Sequence, residues 1–155
     1  MSLLEFRPRH WFSTIFKIVQ NGAPIGEIQV WGRWGSGPGT LKIGNKNYIL
    51  RDDDILRSCF LEEENGRRLT TVDPPTGILR PLFTLRIGSK AYKLKAASIF
   101  RDAFVLIENG RELGSIVLRG FFGRGAADLP DSLPLETRAF MIWLVIGSRN
   151  QGAGL

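Results

Sequence analysis

Few side chains in this chain are of a type that does chemistry, and their spacing does not bring them together. The single histidine, His10, stands beside Arg7 and Arg9, with no cysteine or acidic cluster at ligand spacing. A solvated residue near the chain start is the plainer reading. The single cysteine, Cys59, lies in the β-like run Ser58-Cys59-Phe60 and reads as core rather than as a nucleophile. Glu62-Glu63-Glu64 has the charge for a cation, but its place beside a turn favours a solvated loop. Gly35-Ser36-Gly37-Pro38-Gly39 has the glycine content of a phosphate loop. That chemistry requires a helix N-terminus immediately afterwards, whereas Thr40-Leu41-Lys42-Ile43 reads as a strand. No acid, base, nucleophile or metal constellation emerges, and the expectation is a protein that is not an enzyme and carries no cofactor or metal.

Binding chemistry is better represented. In Leu85-Arg86-Ile87 and Tyr92-Lys93-Leu94-Lys95 the apolar residues alternate with basic ones. A strand with its apolar side inward therefore turns Arg86, Lys93 and Lys95 outward. Lys90 falls at the turn between these runs, and Lys42, Lys46 and Arg51 take comparable places in a matching hairpin upstream. Lys42, Lys46, Arg86, Lys90, Lys93 and Lys95 are the candidate face for an anionic ligand; the plain alternative is a solvated outer strand face. Trp31, Trp34, Phe121 and Phe122 adjoin glycines. They suit either closure of a barrel end or a place in a membrane interface, where indole rings are favoured.

The balance of charge agrees with such a partner. Twenty-one Lys and Arg against fifteen Asp and Glu give a net charge of +6 and a pI near 10.0, which suits anionic surfaces and also simple solubility. Nucleic acid is not expected, because the basic residues are dispersed among strands with no recognition element. One cysteine excludes an intrachain disulfide framework and fits a reducing compartment. Arg7, Arg9 and His10 interrupt the N-terminus before any long apolar core, so no secretory signal is read there. The location expected is cytoplasmic, peripheral at a membrane.

These residues need a scaffold, and the sequence repeats one. Phe16 with Asn21-Gly22, Phe60 with Asn65-Gly66, and Phe104 with Asn109-Gly110 recur at a spacing of 44 residues. Asn-Gly between β-rich runs is the strongest short-range hairpin signal, since both residues accept positive φ. A second hairpin recurs at the same offset, Leu41–Leu50 and Leu85–Leu94, each with a tight turn at Gly-polar-Lys and an inward Tyr. Two hairpins per 44 residues make four strands per repeat. The third repeat lacks its second hairpin, and an apolar segment stands in its place.

That segment runs from Ala139 to Ile146 without a polar side chain. Pro134 and Glu136 mark a helix start and Gly147 a stop; periodicity alone leaves a buried strand open. A helix apolar all round must be enclosed on every side, and the run is well short of the roughly 20 residues that span a bilayer. Ten to twelve strands closed into a barrel have a lumen too wide for their own side chains to fill. The expectation is a mainly β fold: a closed or nearly closed antiparallel barrel of about 10–12 strands around a central hydrophobic C-terminal α-helix. Residues 1–155 form one domain, with hairpin repeats over about 11–132, the buried helix over 133–148 and a tail over 149–155.

With its F-x4-N-G hairpins, its Ile-Gly-x-Lys-x-Tyr hairpins and the Ala139–Ile146 segment, the chain resembles the tubby C-terminal-like superfamily. That group takes in tubby proteins, phospholipid scramblases and the plant LURP-one-related proteins. The resemblance covers about Trp11 to Ser148 and implies a twelve-stranded barrel around a C-terminal helix. The chain is short for the group, which leaves room for one or two strands fewer. Tubby domains bind phosphoinositides through basic residues, so the resemblance implies a taste for anionic lipid without assigning single residues. The cysteine-rich and calcium-binding segments associated with scramblases are not evident. The function expected is a non-enzymatic module for an anionic phospholipid or membrane surface. The alternative is a soluble interaction or structural module with a protein partner.

Overall fold

The computed structural model describes residues 2–10, 14–30, 39–53, 58–77, 80–100, 102–119 and 124–153. In chain order they form β1 (Ser2–Pro8), β2 (Ile15–Gln20), β3 (Ala23–Val30), β4 (Gly39–Ile43), β5 (Lys46–Asp53), β6 (Ser58–Glu63), β7 (Arg68–Val72), β8 (Leu82–Ile87), β9 (Lys90–Ala96), β10 (Ala103–Glu108), β11 (Arg111–Arg119), β12 (Arg124–Leu129) and α1 (Leu135–Ala153). Each strand pairs antiparallel with the next, and β1 pairs with β12, so twelve strands close a barrel with no free edge.

Alternation along the strands sorts side chains between lumen and exterior. On β9, Tyr92, Leu94 and Ala96 are buried, whereas Ala91, Lys93 and Lys95 are exposed. The inward residues of the strands join Ala139, Phe140, Met141, Ile142, Trp143, Leu144, Val145 and Ile146 of α1 in one apolar cluster. Those eight helical residues are at most 4% exposed, so α1 fills the lumen, as its uniform apolarity requires. Apolar inside and charged outside is the reverse of the pattern in strands that span a bilayer. Among the described residues no helix is long and apolar enough to cross a membrane. The helix also runs on to Ala153, so residues 149–153 continue it where the sequence suggested a tail.

The barrel has two unlike ends. At the turn end, tight turns join β2–β3, β4–β5, β6–β7, β8–β9 and β10–β11, and α1 begins after β12. At the loop end the remaining connections are longer. All three Asn-Gly pairs lie at turns, and Phe16, Phe60 and Phe104 lie in strands, as the 44-residue period predicts. Asn21 and Gly22 have φ of 53° and 78°, Asn109 and Gly110 of 51° and 77°; two successive positive φ values are the type I′ signature that suits the twist of a hairpin. Each first hairpin also has an irregularity in register, and the residue without a partner is Ile25 in β3, Leu69 in β7 and Leu113 in β11. These bulges keep the same 44-residue spacing.

The middle repeat departs from the other two. At Asn65-Gly66 only Gly66 has positive φ, the Gly66 N–H donates to the Glu63 carbonyl at 2.9 Å, and Glu63 N–H donates to Arg67 O at 2.9 Å. The turn is thus one residue longer, a type I turn with a glycine bulge. The extra residue slips β6 by one position. Leu61 now faces Leu50 and Thr70 across the lumen side, so Phe60 points outward while Phe16 and Phe104 point inward. A one-residue slip exchanges the faces of a whole strand.

The N-terminus corrects the sequence reading. The repeats begin at Ser2, not near residue 11. Leu4 and Phe6 of β1 are buried and stand 44 residues before Tyr48 and Leu50, which face the same way on β5. β1 pairs with β12 on one side and β2 on the other. The third repeat is therefore complete: β12 is its third strand, with Leu129 in the place of Leu41 and Leu85, and β1 supplies its fourth from the other end of the chain. The helix is an addition to that repeat rather than a substitute for its hairpin.

Close backbone approach adds a constraint at Gly114. A Cβ there would lie 2.2 Å from Asp128 O, and one at its counterpart Gly26 would lie 2.4 Å from Lys42 O. The middle repeat has Thr70 at this position. Pairing of β7 with β8 is confined to Thr71↔Arg86 and Val72↔Leu85, so the β7–β8 ladder does not extend to Thr70, whose hydroxyl lies 3.5 Å from that of Thr137 on α1. Gly114→Ala is expected to destabilise the protein by roughly 1–3 kcal/mol, the usual range for overpacking. Chemical denaturation measures this, and an unchanged midpoint would contradict the close approach.

Candidate functional site

The six predicted basic residues are all exposed, but the barrel does not gather them on one face. Strands β6 and β7 separate the β4–β5 hairpin from β8–β9. Lys46 and Lys90 pair with Ile43 and Ile87, whose neighbours Leu41 and Leu85 face the lumen. These two lysines thus sit on the inner rim of the turn end. Lys42 is on the outer wall between Glu27 and Asn47. Arg86 is outward too, and its Nη2 lies 3.0 Å from Asp73 Oδ2. Both partners are exposed, so the pair contributes at most about 1 kcal/mol, yet it compensates the arginine's charge.

Lys93 and Lys95 are different. Both point outward from β9, Lys93 between Thr84 and Ile107, Lys95 between Leu82 and Val105. No carboxylate stands opposite either one, and neither has an ion pair among the described residues. Two uncompensated ammonium groups thus lie beside an aliphatic strip on β10. This stripe is the part of the predicted face that the fold brings together.

The sequence reading missed a second basic row. Arg7 on β1 stands directly opposite Lys17 on β2, and Glu27 and Lys42 continue the row across β3 and β4. Arg7 and Arg124 also line a groove of about 310 Å³ with Glu5, Phe6, Val19, Gly22 and Gly125. Only the pairing of β1 reveals this, and β1 was not recognisable as a strand. Like charges directly opposite each other in a sheet oppose folding, so the Arg7–Lys17 pairing is a local cost, offset in part by Glu27 on the other side of Lys17.

The acidic run is dispersed by the slip of β6. Glu62 points outward between two arginines, with Arg51 Nε 2.8 Å from its Oε2 and Arg68 Nε 3.6 Å from its Oε1. The Arg68 guanidinium also lies over the Phe60 ring, 4.0 Å from its centroid, which is why that outward phenyl is buried. Glu63 lines a groove of about 350 Å³ at the turn end with Asn45, Lys46, Asn47, Tyr48, Glu64 and Asn65. Among the described residues no group of His, Cys, Asp and Glu is placed to hold a metal. His10 is exposed, and Cys59 is half-buried on the lumen side of β6.

The surroundings of Tyr48 shift its titration. Burial raises its phenol pKa above 10.0, and the carboxylates of Glu136 and Glu63 raise it further. A phenol held neutral in this way is neither a nucleophile nor a base near pH 7. Because the folded pKa exceeds the unfolded one, the contribution of Tyr48 is intact below about pH 10 and declines as pH rises beyond it. Tyr48→Phe is expected to reduce the alkaline loss of stability above about pH 10. Denaturation midpoints compared at about pH 8 and about pH 11, on either side of the ordinary phenol value, test this. An identical alkaline loss in both proteins would refute it.

Trp31, Trp34, Phe121 and Phe122 lie outside the described residues. The fold and its surface define a helix-filled, twelve-stranded antiparallel barrel with basic stripes on its exterior. Comparison with known proteins finds no matching family model, no similar curated protein and no similar solved structure.

Proposed function

We propose that this protein is a non-enzymatic module of the tubby-like kind that docks on an anionic phospholipid surface. The observation that carries the reading is the filled lumen. Ala139–Ile146 occupy the interior with at most 4% exposure, leaving no room for a ligand of the sort that wide barrels enclose. Recognition then belongs to the outside, and the outside offers uncompensated cations in Lys93 and Lys95 on β9, with Arg7 opposite Lys17 across β1 and β2 as a second basic pair. The arrangement of twelve strands around a C-terminal helix is the one the resemblance implied, which supports the tubby-like assignment.

Juxtaposed lysines and arginines gain on the order of 1 kcal/mol each near an anionic bilayer. The test is sedimentation of the protein with vesicles of phosphatidylcholine alone and with added phosphatidylserine. Binding is expected only to the anionic vesicles and to fall as salt rises, since the Debye length shrinks from about 10 Å at 0.1 M to about 3 Å at 1 M. Equal binding to both vesicles, or none at low salt, rejects the lipid reading and leaves the interaction module with a protein partner in its place.

A further inference from the structure

Among the described residues, the most exposed large apolar side chains belong to the β9–β10 connection at the loop end. Phe100 is 76% and Ile99 53% exposed, at the tip of a short hairpin whose preceding strand carries Lys93 and Lys95. Scattered single apolar residues on a surface need no explanation, but two adjacent ones at the apex of a loop expose a patch that stability does not require.

What surrounds this tip is basic. Ala96 N–H donates to Pro81 O at 3.0 Å on one side, which places Arg80 beside the loop. Leu118 N–H donates to Asp102 O at 2.7 Å on the other, which places Arg119 there. Arg119 stands directly opposite Arg124, a like-charge cross-strand pair of the kind that destabilises a sheet. The nearest described carboxylate in the loop, Asp102, is engaged by the Ser98 hydroxyl at 2.6 Å. In the sequence, moreover, a bulky apolar residue recurs every 22 positions through the longer connections: Phe12, Trp34, Leu56, Ile78, Phe100 and Phe122. Of these Phe100 alone is among the described residues, and the site assigned below uses it alone.

We infer that the β9–β10 tip is a membrane wedge: Ile99 and Phe100 enter the interfacial layer of an anionic bilayer while Arg80, Lys95, Arg119 and Arg124 meet its headgroups. This rests on the lipid-docking reading and gives it an orientation, with the loop end toward the membrane and the turn end away. Apolar insertion and attraction to anionic lipid add in such interfacial binding. The cations also explain why an exposed Phe is tolerated next to an Arg pair that disfavours the sheet.

The experiment compares wild type with Ile99→Ser/Phe100→Ser on vesicles of phosphatidylcholine and phosphatidylserine, each protein checked for its melting curve. Both side chains are exposed, so an unchanged curve is expected. The double variant is expected to bind the anionic vesicles at least tenfold more weakly, with the same dependence on salt, since no charge is removed. A Phe100→Trp variant gives a second readout: the emission it adds to that of wild type is expected to be quenched by brominated lipid. Undiminished binding by the serine variant overturns the wedge and leaves docking through charge alone. So does an added emission that brominated lipid leaves untouched while the Phe100→Trp protein is bound. Absence of wild-type binding at low salt overturns the wedge together with the reading beneath it.

Discussion

Truncating Trp143 to alanine is expected to destabilise the protein by about 3–5 kcal/mol, the range for removing a large buried aromatic. Trp143 is 4% exposed and stacks on Phe140 of the same helix, ring centroids 5.6 Å apart and planes 17° off parallel. The helix fills the lumen, so the vacated space is bounded by a closed sheet that cannot collapse inward without breaking strand pairing. Its indole nitrogen is buried without a hydrogen-bond partner and faces Gly39, where a Cβ would lie 3.1 Å from it. Gly39 occupies the repeat position held by Phe83 and Ala127, and its lack of a side chain makes room for the indole. Trp143→Phe forfeits no hydrogen bond and keeps most of the packing, so its cost is expected to stay under about 1.5 kcal/mol. Denaturation curves for the two variants measure the difference. An alanine variant with the wild-type midpoint would show that Trp143 does not plug the barrel.

That plug was the most legible feature of the sequence, because eight consecutive apolar residues have no exposed face to offer. The hairpins were legible for a related reason: Asn-Gly and Gly-polar-Lys report local backbone geometry that needs no knowledge of distant partners. What the sequence concealed depends on partners far along the chain. β1 is a seven-residue strand with two inward residues, Leu4 and Phe6, and its neighbours include β12 at the opposite end of the chain. Alternation over so short a span is a weak signal, and Arg7 and Pro8 weaken it further. The slip of β6 was hidden because the motif Phe60…Asn65-Gly66 is intact as text; the difference lies in which turn type the glycine completes. The grouping of basic residues failed in the same way. Lys42 and Arg86 occupy equivalent repeat positions, and equivalence in a closed barrel of repeats means separation by four strands rather than adjacency.

Reversing charge at Lys93 and Lys95 together is expected to weaken binding to phosphatidylserine vesicles by well over tenfold. Each cation near an anionic surface contributes on the order of 1 kcal/mol, and reversal replaces attraction with repulsion at both positions. About 1.4 kcal/mol is one decade in affinity, so losses of about two to four kcal/mol span roughly thirty- to a thousandfold. The two side chains are exposed, lie on the outer wall between uncharged neighbours, and take part in no ion pair among the described residues. The melting curve should therefore survive Lys93→Glu/Lys95→Glu, and the loss of binding is then not a loss of fold. Arg86→Glu serves as the comparison, because Asp73 already compensates that charge, and reversing it alone is expected to cost less than the double change. The salt dependence separates the contributions further: the wild-type advantage over the double reversal should shrink toward about 1 M salt as the field is screened. Should the double reversal sediment with anionic vesicles as well as wild type does at low salt, the β9 stripe is a solvated wall, and any docking must run through the remaining cations: Arg7 and Lys17, or Arg80, Arg119 and Arg124 around the loop end.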